Sequence, residues 1–520
     1  MYTLGDIPRN GALSFPDRTA VVFEGNRYTY SEFNDRINRC AHGLLALGCR
    51  KGDRVAIMAD NCAKYLEAYF AAAKIGVSVT PINVRLGDDE IVFIVNDCEA
   101  TVFIVGDGYE ARADQIRGRL SSIRQFVCFD RPRAGFHAYE ELLAPASADE
   151  PDRDVDEVDE DDLAILMYTG GTTGTPKGVM LSHRNVLLSA ITPALSTGMT
   201  RDDSTCFVLP MFHVSWWPIL MILLVGGKVC INRKPDLDAI FRLIEDEKCT
   251  HMNLVPTIYG WMVNHPTVDQ YDLSSVRLFT YAGSPFPVEI LKQCIRKFGN
   301  RFAQGYGATE TAGAGIAVLD DRDHFLEGEK ARYLASAGKP AMCARVRIVD
   351  EHDNTLGPDV IGEICVRGAH IMKGYWKNAQ LTAEVLRGGW YHTGDIGYVD
   401  RDGYLYLTDR KADMIISGGE NVYPKEVEEI IYQHPAVREC TVVSSPAEGW
   451  GEIVHAVVAL KDGHSATEQE IIDHCKKTLA GYKCPKAVSF WDDLPKTVVG
   501  KIAKKEVKRT FWGEKQRMIG

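Results

Sequence analysis

No two cysteines of this sequence stand at Cys-x-x-Cys spacing; its 14 cysteines are scattered along 520 residues. That leaves out the common zinc frameworks, and a chain long enough to bury a large core does not need a disulfide scaffold. Also missing is an apolar run of the ~20 residues that a membrane-crossing helix requires. The most apolar stretch, 214–229, is interrupted by Pro218, Gly226 and Gly227 and reads as a buried helix. Positive charge is in deficit: 59 Lys and Arg stand against 71 Asp and Glu, a net charge of −12. Such a chain has no general attraction for nucleic acid, so an anionic ligand must find a locally basic pocket. The first residues carry no basic segment followed by an apolar one, so no secretory signal is expected, and a reducing cytoplasm is the expected location. No internal repeat is apparent.

What remains is an ordinary globular composition, 45% hydrophobic and 25% charged. A single core does not grow to this size, so at least two domains are expected. Residues 20–30 alternate around Gly25-Asn26 and predict a hairpin, with Ser31 capping the helix that follows. Short apolar runs at 55–59, 77–81 and 101–105 alternate with helical spacing at 63–75 and 88–96. The same alternation continues through 163–168, 206–209, 228–231, 252–254 and 276–281. It predicts an α/β fold, a large N-terminal domain with parallel sheets covered by helices. Past the polar run Asp409-Arg410-Lys411-Ala412-Asp413 a compact new pattern begins, with strands at 414–417, 439–444, 453–460 and 487–491 and helices at 424–433 and 467–479. The expected division is a domain of 1–409 and a small mobile α+β domain of 410–520, with a hinge between them. The acidic stretch 152–162 reads as a solvated connector.

Four stretches carry chemistry. The first runs from Thr169 through Gly170, Gly171, Thr172, Thr173, Gly174, Thr175 and Pro176 to Lys177. Glycines let the backbone approach a ligand closely, successive N–H groups form an anion cradle, and the hydroxyls and Lys177 add donors and charge. It is not the nucleotide-kinase loop, which ends in Gly-Lys-Ser/Thr and opens a helix; here Pro176 precedes the lysine and keeps Thr175 extended. The second is Gln304-Gly305-Tyr306-Gly307-Ala308-Thr309-Glu310. The third is Tyr391-His392-Thr393-Gly394-Asp395, and the fourth places Lys501 after Gly500 near the C-terminus. A weaker match, Gly106-Asp107-Gly108 with Asp130 downstream, fits the dinucleotide fingerprint loosely and an ordinary strand-to-helix turn equally well.

Together, in this order, these motifs resemble the adenylate-forming superfamily of acyl-CoA synthetases, nonribosomal-peptide adenylation domains and beetle luciferases. The resemblance covers nearly the whole chain. It implies ATP, Mg²⁺ and coenzyme A as the small-molecule partners of an organic acid. The loop 169–177 would cradle the leaving phosphates, and Gly283 and Ser284 would flank adenine, with Tyr306 against the base. Thr309 would contact phosphate, Glu310 hold the metal, and Asp395 and Arg410 reach the ribose. Lys501 would span the carboxylate and the α-phosphate. Gly418, Gly419 and Glu420 would line the tunnel for pantetheine. The residue two after the junction arginine is often Lys or Asp in the family; here it is Ala412.

His213 lies where the family gates its acid pocket, which marks it as a catalytic and substrate-binding candidate. With Trp216, Trp217, Tyr259, Tyr281, Ala308 and Ala312 it makes an expected pocket for an uncharged acyl or aryl group: medium-chain fatty, alicyclic or aromatic. The expected activity is acyl-adenylate formation followed by thioester formation with coenzyme A. A luciferase-like acceptor and a noncatalytic nucleotide binder are the alternatives, and a homodimer stays open.

Overall fold

A computed structural model describes residues 3–130, 133–152, 158–169, 176–410, 413–417, 420–447, 451–497 and 500–513, with the backbone alone at 409, 410, 421 and 451. In the first of two large sheets, Thr19–Phe23, Lys228–Ile231, Ser204–Phe207, His251–Leu254, Leu278–Ala282 and Phe302–Ala308 lie side by side and parallel. Antiparallel strands close both edges: Asn26–Thr29 on one side, and Gly313–Leu319 followed by Lys339–Pro340 on the other. In the second sheet Arg54–Met58 runs parallel between Ser78–Pro81 and Val102–Val105. The next strand outward, Leu163–Thr169, is parallel to Ser78–Pro81, and Lys177–Ser182 turns back antiparallel to it.

One core unites the two sheets. Val21 and Val229 of the first and Val55 and Ile57 of the second belong to the same apolar cluster as Phe33 and Phe70, all 0–1% exposed. Helix Ala63–Lys74 is buried along almost its whole length, consistent with its lack of a polar face. The one carboxylate on its buried surface, Glu67, receives Arg36 at 2.7 and 3.1 Å and the Tyr139 hydroxyl at 2.8 Å, which offsets its desolvation. Among the described residues, no helix is long and apolar enough to cross a membrane. The apolar stretch instead yields helix Trp217–Leu224, opened by Pro218, with a nearly all-buried surface. All 14 cysteines are free thiols.

The predicted α/β alternation is present, with two differences. Helix Tyr30–Ala46 is capped by Thr29 rather than Ser31: Thr29 and Glu32 form a reciprocal capping box, which satisfies two orphan N–H groups at once. And a four-stranded antiparallel sheet, Arg345–Val349, Gly362–Arg367, Tyr391–Val399 and Leu405–Arg410, occupies a region in which the sequence predicted no sheet. Tyr391–Val399 carries Gly394, Asp395 and Gly397 in its middle, whereas strands such as Arg345–Val349 are rich in strand-forming residues, and Ile348, Ile364, Val366 and Leu405 pack together across the sheet.

The small C-terminal domain has its own sheet, in which Gly451–Leu460 pairs antiparallel with Val437–Ala447 and with Ile415–Ser417, and parallel with Ala487–Phe490. Helices Pro424–Ile431 and Glu468–Lys476 complete a separate core of Val427, Ile431, Val442, Val458 and Ile471.

Candidate active site

Loop 170–175, with Gly170, Gly171, Thr172, Thr173 and Gly174, lies outside the described residues, but its stems are clear. Leu163–Thr169 and Lys177–Ser182 are antiparallel neighbours with Thr169 opposite Lys177, so the two stems form a hairpin and the element after the loop is a strand. The Tyr168 hydroxyl donates to Asp97, which fixes the hairpin to the end of helix Asp88–Asp97. Thr169 and Lys177 both border a cleft of about 2350 Å³.

On the opposite wall, Tyr281 pairs with Gln304 and Ala282 with Gly305, which sets the Gly283-Ser284 turn beside the second motif. The glycines there answer to close packing. A β-carbon at Gly307 would lie 1.8 Å from the Gly313 carbonyl oxygen, and one at Gly305 would lie 2.5 Å from the β-carbon of Ala314. The chain then turns through Thr309–Thr311, stapled by the Ala308 N–H donating to Thr311 Oγ1 at 2.9 Å. Thr309 and Glu310 face the cleft. One oxygen of the Glu310 carboxylate accepts the Tyr375 hydroxyl at 2.8 Å.

The third motif meets the second directly, because the Tyr306 hydroxyl donates to Asp395. Asp395 is held by its own turn: its N–H donates to Thr393 Oγ1 at 3.0 Å, and the Thr393 hydroxyl donates to the Ile364 carbonyl at 2.8 Å. Gly394, at φ +73°, donates to Glu363 at 3.2 Å. Arg410 pairs with Asp395 through the backbone; its side chain, like Ala412, lies outside the described residues.

The C-terminal domain delivers Lys501 to the same cleft. A β-carbon at Gly283 would stand 3.1 Å from Lys501 Cε and 3.3 Å from its Nζ, so the ammonium lies over the Gly283-Ser284 turn. The lysine's own loop is tight, with the Thr497 N–H donating to the Lys501 carbonyl at 2.6 Å and Gly500 at φ +79°. Next to it, Lys496 pairs with Glu439 at 2.9 Å and sits 5.4 Å from the ring centre of Trp261, a half-exposed side chain of the large domain. Glu420 and its neighbour Ser417 lie away from the cleft lining, while Gly418 and Gly419 fall outside the described residues.

Of the acid-pocket candidates, His213 and Ala308 border the cleft. Burial, and then the nearby Lys501 charge, lower the His213 pKa to about 3, so the imidazole is neutral and its Nδ1 has no hydrogen-bond partner among the described residues. A proton-transfer role at neutral pH therefore does not fit it, and a neutral wall does. The remaining five sit behind the wall. Trp216 is fully buried and stacks on Tyr69 at 4.4 Å, and Trp217 packs edge-on against Trp216. Tyr259 donates to the carbonyls of Met252 and Thr280, and its ring packs among Phe279, Phe286 and Phe302. The Tyr281 hydroxyl is bonded to His324 at 3.0 Å, and the Ala312 carbonyl accepts Ser189. The two tyrosines are core material whose hydroxyls are satisfied inside the protein, whereas the buried Nε1 groups of Trp216 and Trp217 have no hydrogen-bond partner among the described residues. The dinucleotide-like stretch is an ordinary turn, since Asp130 is taken by Lys64 at 2.9 Å and Gly106 is required by the approach of Ala59.

Sequence reading missed Tyr375, Glu363 and Trp261. Each acts across a contact between segments far apart in the chain, and none sits in a local pattern that announces it.

A large α/β body with two sheets, and a small domain that lowers a lysine onto the cleft, define the architecture of adenylate-forming enzymes. The chain belongs to that superfamily's AMP-binding enzyme family: the family model matches residues 9–376, and the AMP-binding enzyme C-terminal domain matches 426–501. It is 40% identical over 511 residues to a feruloyl-CoA synthase from Amycolatopsis sp, covering 98% of this chain and 99% of the relative. It is 35% identical to a long-chain-fatty-acid–CoA ligase of Mycobacterium tuberculosis, with 98% and 99% covered. Among solved structures, the anthranilate CoA ligase AuaEII in complex with anthranoyl-AMP superimposes with a TM-score of 0.90 at 26% identity, covering 98% of this chain and 97% of that one.

Proposed function

We propose that the protein is an AMP-forming carboxylate–CoA ligase acting on an acid with an uncharged acyl or aryl group. The observation that carries this is the position of Lys501 against Gly283, across a cleft that also holds Glu310, Asp395 and Lys177. In the first half-reaction a carboxylate oxygen of the acid attacks the α-phosphorus of ATP. The bond from that phosphorus to the bridging oxygen breaks, and pyrophosphate leaves. Lys501 lies where two anions approach each other, and a preorganised charge there is worth most in the transition state. Lys177 and the hairpin tip 169–177 receive the leaving phosphates. Asp395, steadied by Tyr306, accepts the ribose hydroxyls, and His213 forms an uncharged side of the acid pocket.

The donor set suits a magnesium ion shared with the phosphates. Glu310 offers a hard carboxylate, and the described residues hold no cluster of three or more His, Cys, Asp or Glu that would cage a metal by itself. When bound, the ion neutralises phosphate charge.

In the second half-reaction the small domain, residues 410–520, swings about 409–413 and withdraws Lys501. The segment 417–421, whose Ser417 and Glu420 do not line the cleft in the present arrangement, turns toward it. The coenzyme A thiol loses its proton, its sulfur attacks the acyl carbonyl, and AMP leaves with the carboxyl oxygen. Aromatic propenoic acids and medium-chain fatty acids are the first substrates to test, since the similar proteins named above act on a feruloyl and on long-chain fatty acids. A panel of acids scored for pyrophosphate release, with and without coenzyme A, tests the reading. Acid-dependent release with AMP and an acyl thioester as products supports it. Release without thioester formation for every acid would remove coenzyme A as the acceptor.

A further inference from the structure

The segment that follows the large sheets, residues 372–376, returns to the hairpin that carries the phosphate loop. Gly374 pairs with Met180 and Tyr375 with Val179, and the Lys373 and Trp376 N–H groups donate to the carbonyls of Met180 and Gly178 at 2.9 and 2.7 Å. Trp376 Nε1 donates to the Asp97 carbonyl at 2.9 Å, and the Tyr375 N–H donates to Thr382 Oγ1 at 2.9 Å. Gly374 is at φ +141°, and a β-carbon there would meet Thr382 Cγ2 at 2.5 Å, so the strand is tightly seated just before Tyr375. The same segment grips the second motif twice. The Met372 N–H donates to the Glu310 carbonyl at 2.8 Å, and the Tyr375 hydroxyl donates to the Glu310 carboxylate, also at 2.8 Å. On the other side, the Lys177 ammonium lies 5.8 Å from the centre of the Tyr375 ring. Tyr375 is 7% exposed, and what remains exposed borders the cleft.

We propose that Tyr375 is a positioning residue that couples the two phosphate-handling motifs: its hydroxyl orients the Glu310 carboxylate and its ring seats the Lys177 ammonium. One bond is spent on one carboxylate oxygen, and the other would serve a metal carried by the nucleotide. The ring beneath Lys177 is an attractive surface for a cation and limits where its charge can lie. This rests on the assignment of Glu310 and Lys177 to nucleotide phosphates proposed above.

Tyr375→Phe removes the hydroxyl and keeps the ring, whereas Tyr375→Leu removes both. The readouts are Mn²⁺ binding in the presence of ATP, followed by electron paramagnetic resonance, and ATP binding in EDTA, followed by calorimetry; neither needs an acid or coenzyme A. Tyr375→Phe is expected to weaken Mn²⁺ binding about tenfold, as the loss of one hydrogen bond to a charged group would, with metal-free ATP binding unchanged. Tyr375→Leu is expected to weaken metal-free ATP binding as well. Glu310→Gln should reproduce the metal defect, and adding Tyr375→Phe to it should do little more. Unchanged Mn²⁺ binding in Tyr375→Phe, or additive losses in the double variant, would overturn the proposal. The expected binding losses in these variants, found in a protein that activates no acid, would count against the function and leave Tyr375's role intact.

Discussion

Gly283 carries two constraints at one position. Its φ of +89° lies in the left-handed region that side chains avoid, and a β-carbon there would press on Lys501. Gly283→Ala is therefore expected to slow adenylate formation about tenfold or more, within the range of single-donor deletions. It should leave thioester formation from supplied acyl-adenylate closer to normal, because the proposed domain swing takes Lys501 off this turn in that step. Stopped-flow measurement of each half-reaction separates the two, and equal slowing of both would contradict the steric account. His213 shows the limit of reading a residue from its motif. Its place beside the cleft was legible from Met211 to Trp217, whereas its neutral state follows from enclosure and from a lysine 288 positions away. The aromatic neighbours were visible as a cluster, but whether a ring faces a ligand or the core depends on partners such as Tyr69 and His324, which no local pattern names.

Among elements, the hairpin around the phosphate loop was foreseeable: Pro176 keeps the chain extended, and the strand on each side reads as one. The segment 372–376 was not, because its two-residue strand exists only through pairing with 177–182. The contact between helix Pro256–Val263 and the lysine loop was equally hidden. There Lys496, anchored by Glu439, lies over Trp261, and this contact joins the two domains in the arrangement that presents Lys501. A cation–π contact at a partly exposed site stabilises by ~0.5–2 kcal/mol, enough to move a two-state balance about two- to thirtyfold. Trp261→Ala is expected to lower the adenylation rate by a factor in that range while thioester formation stays the same or quickens. Slowed thioester formation with normal adenylation would show that the contact favours the other arrangement.

For the whole molecule, the small domain packs its sheet and helices around an apolar cluster of its own, with Val442 and Val458 at its centre. The change of pattern near 409 is where the sequence reading put the division, while the antiparallel sheet of 345–410 went unread although strands such as Arg345–Val349 and Gly362–Arg367 carry strand-forming Val and Ile. Burial also has a global consequence. His251, His324 and His370 are each held to a pKa of about 4, mainly by burial. Unfolding frees each to its ordinary value of about 6.5. As pH falls from about 6.5 toward 4, the unfolded chain takes up protons that the folded one refuses, so stability declines across that window. The Tm at pH 5 is expected to lie below that at pH 7.5, and His370→Gln should flatten the slope. A Tm that rises on acidification through this window would contradict the assignment of these rings as buried and neutral.

The claim on which the rest stands is that a lysine brought over the cleft by the small domain drives attack of an acid on ATP. Acid-dependent exchange of labelled pyrophosphate into ATP measures that step alone. With an acid that supports exchange in the native protein, Lys501→Ala is expected to reduce the rate by ~10²-fold or more while thioester formation from supplied acyl-adenylate continues. Undiminished exchange in Lys501→Ala would contradict the account.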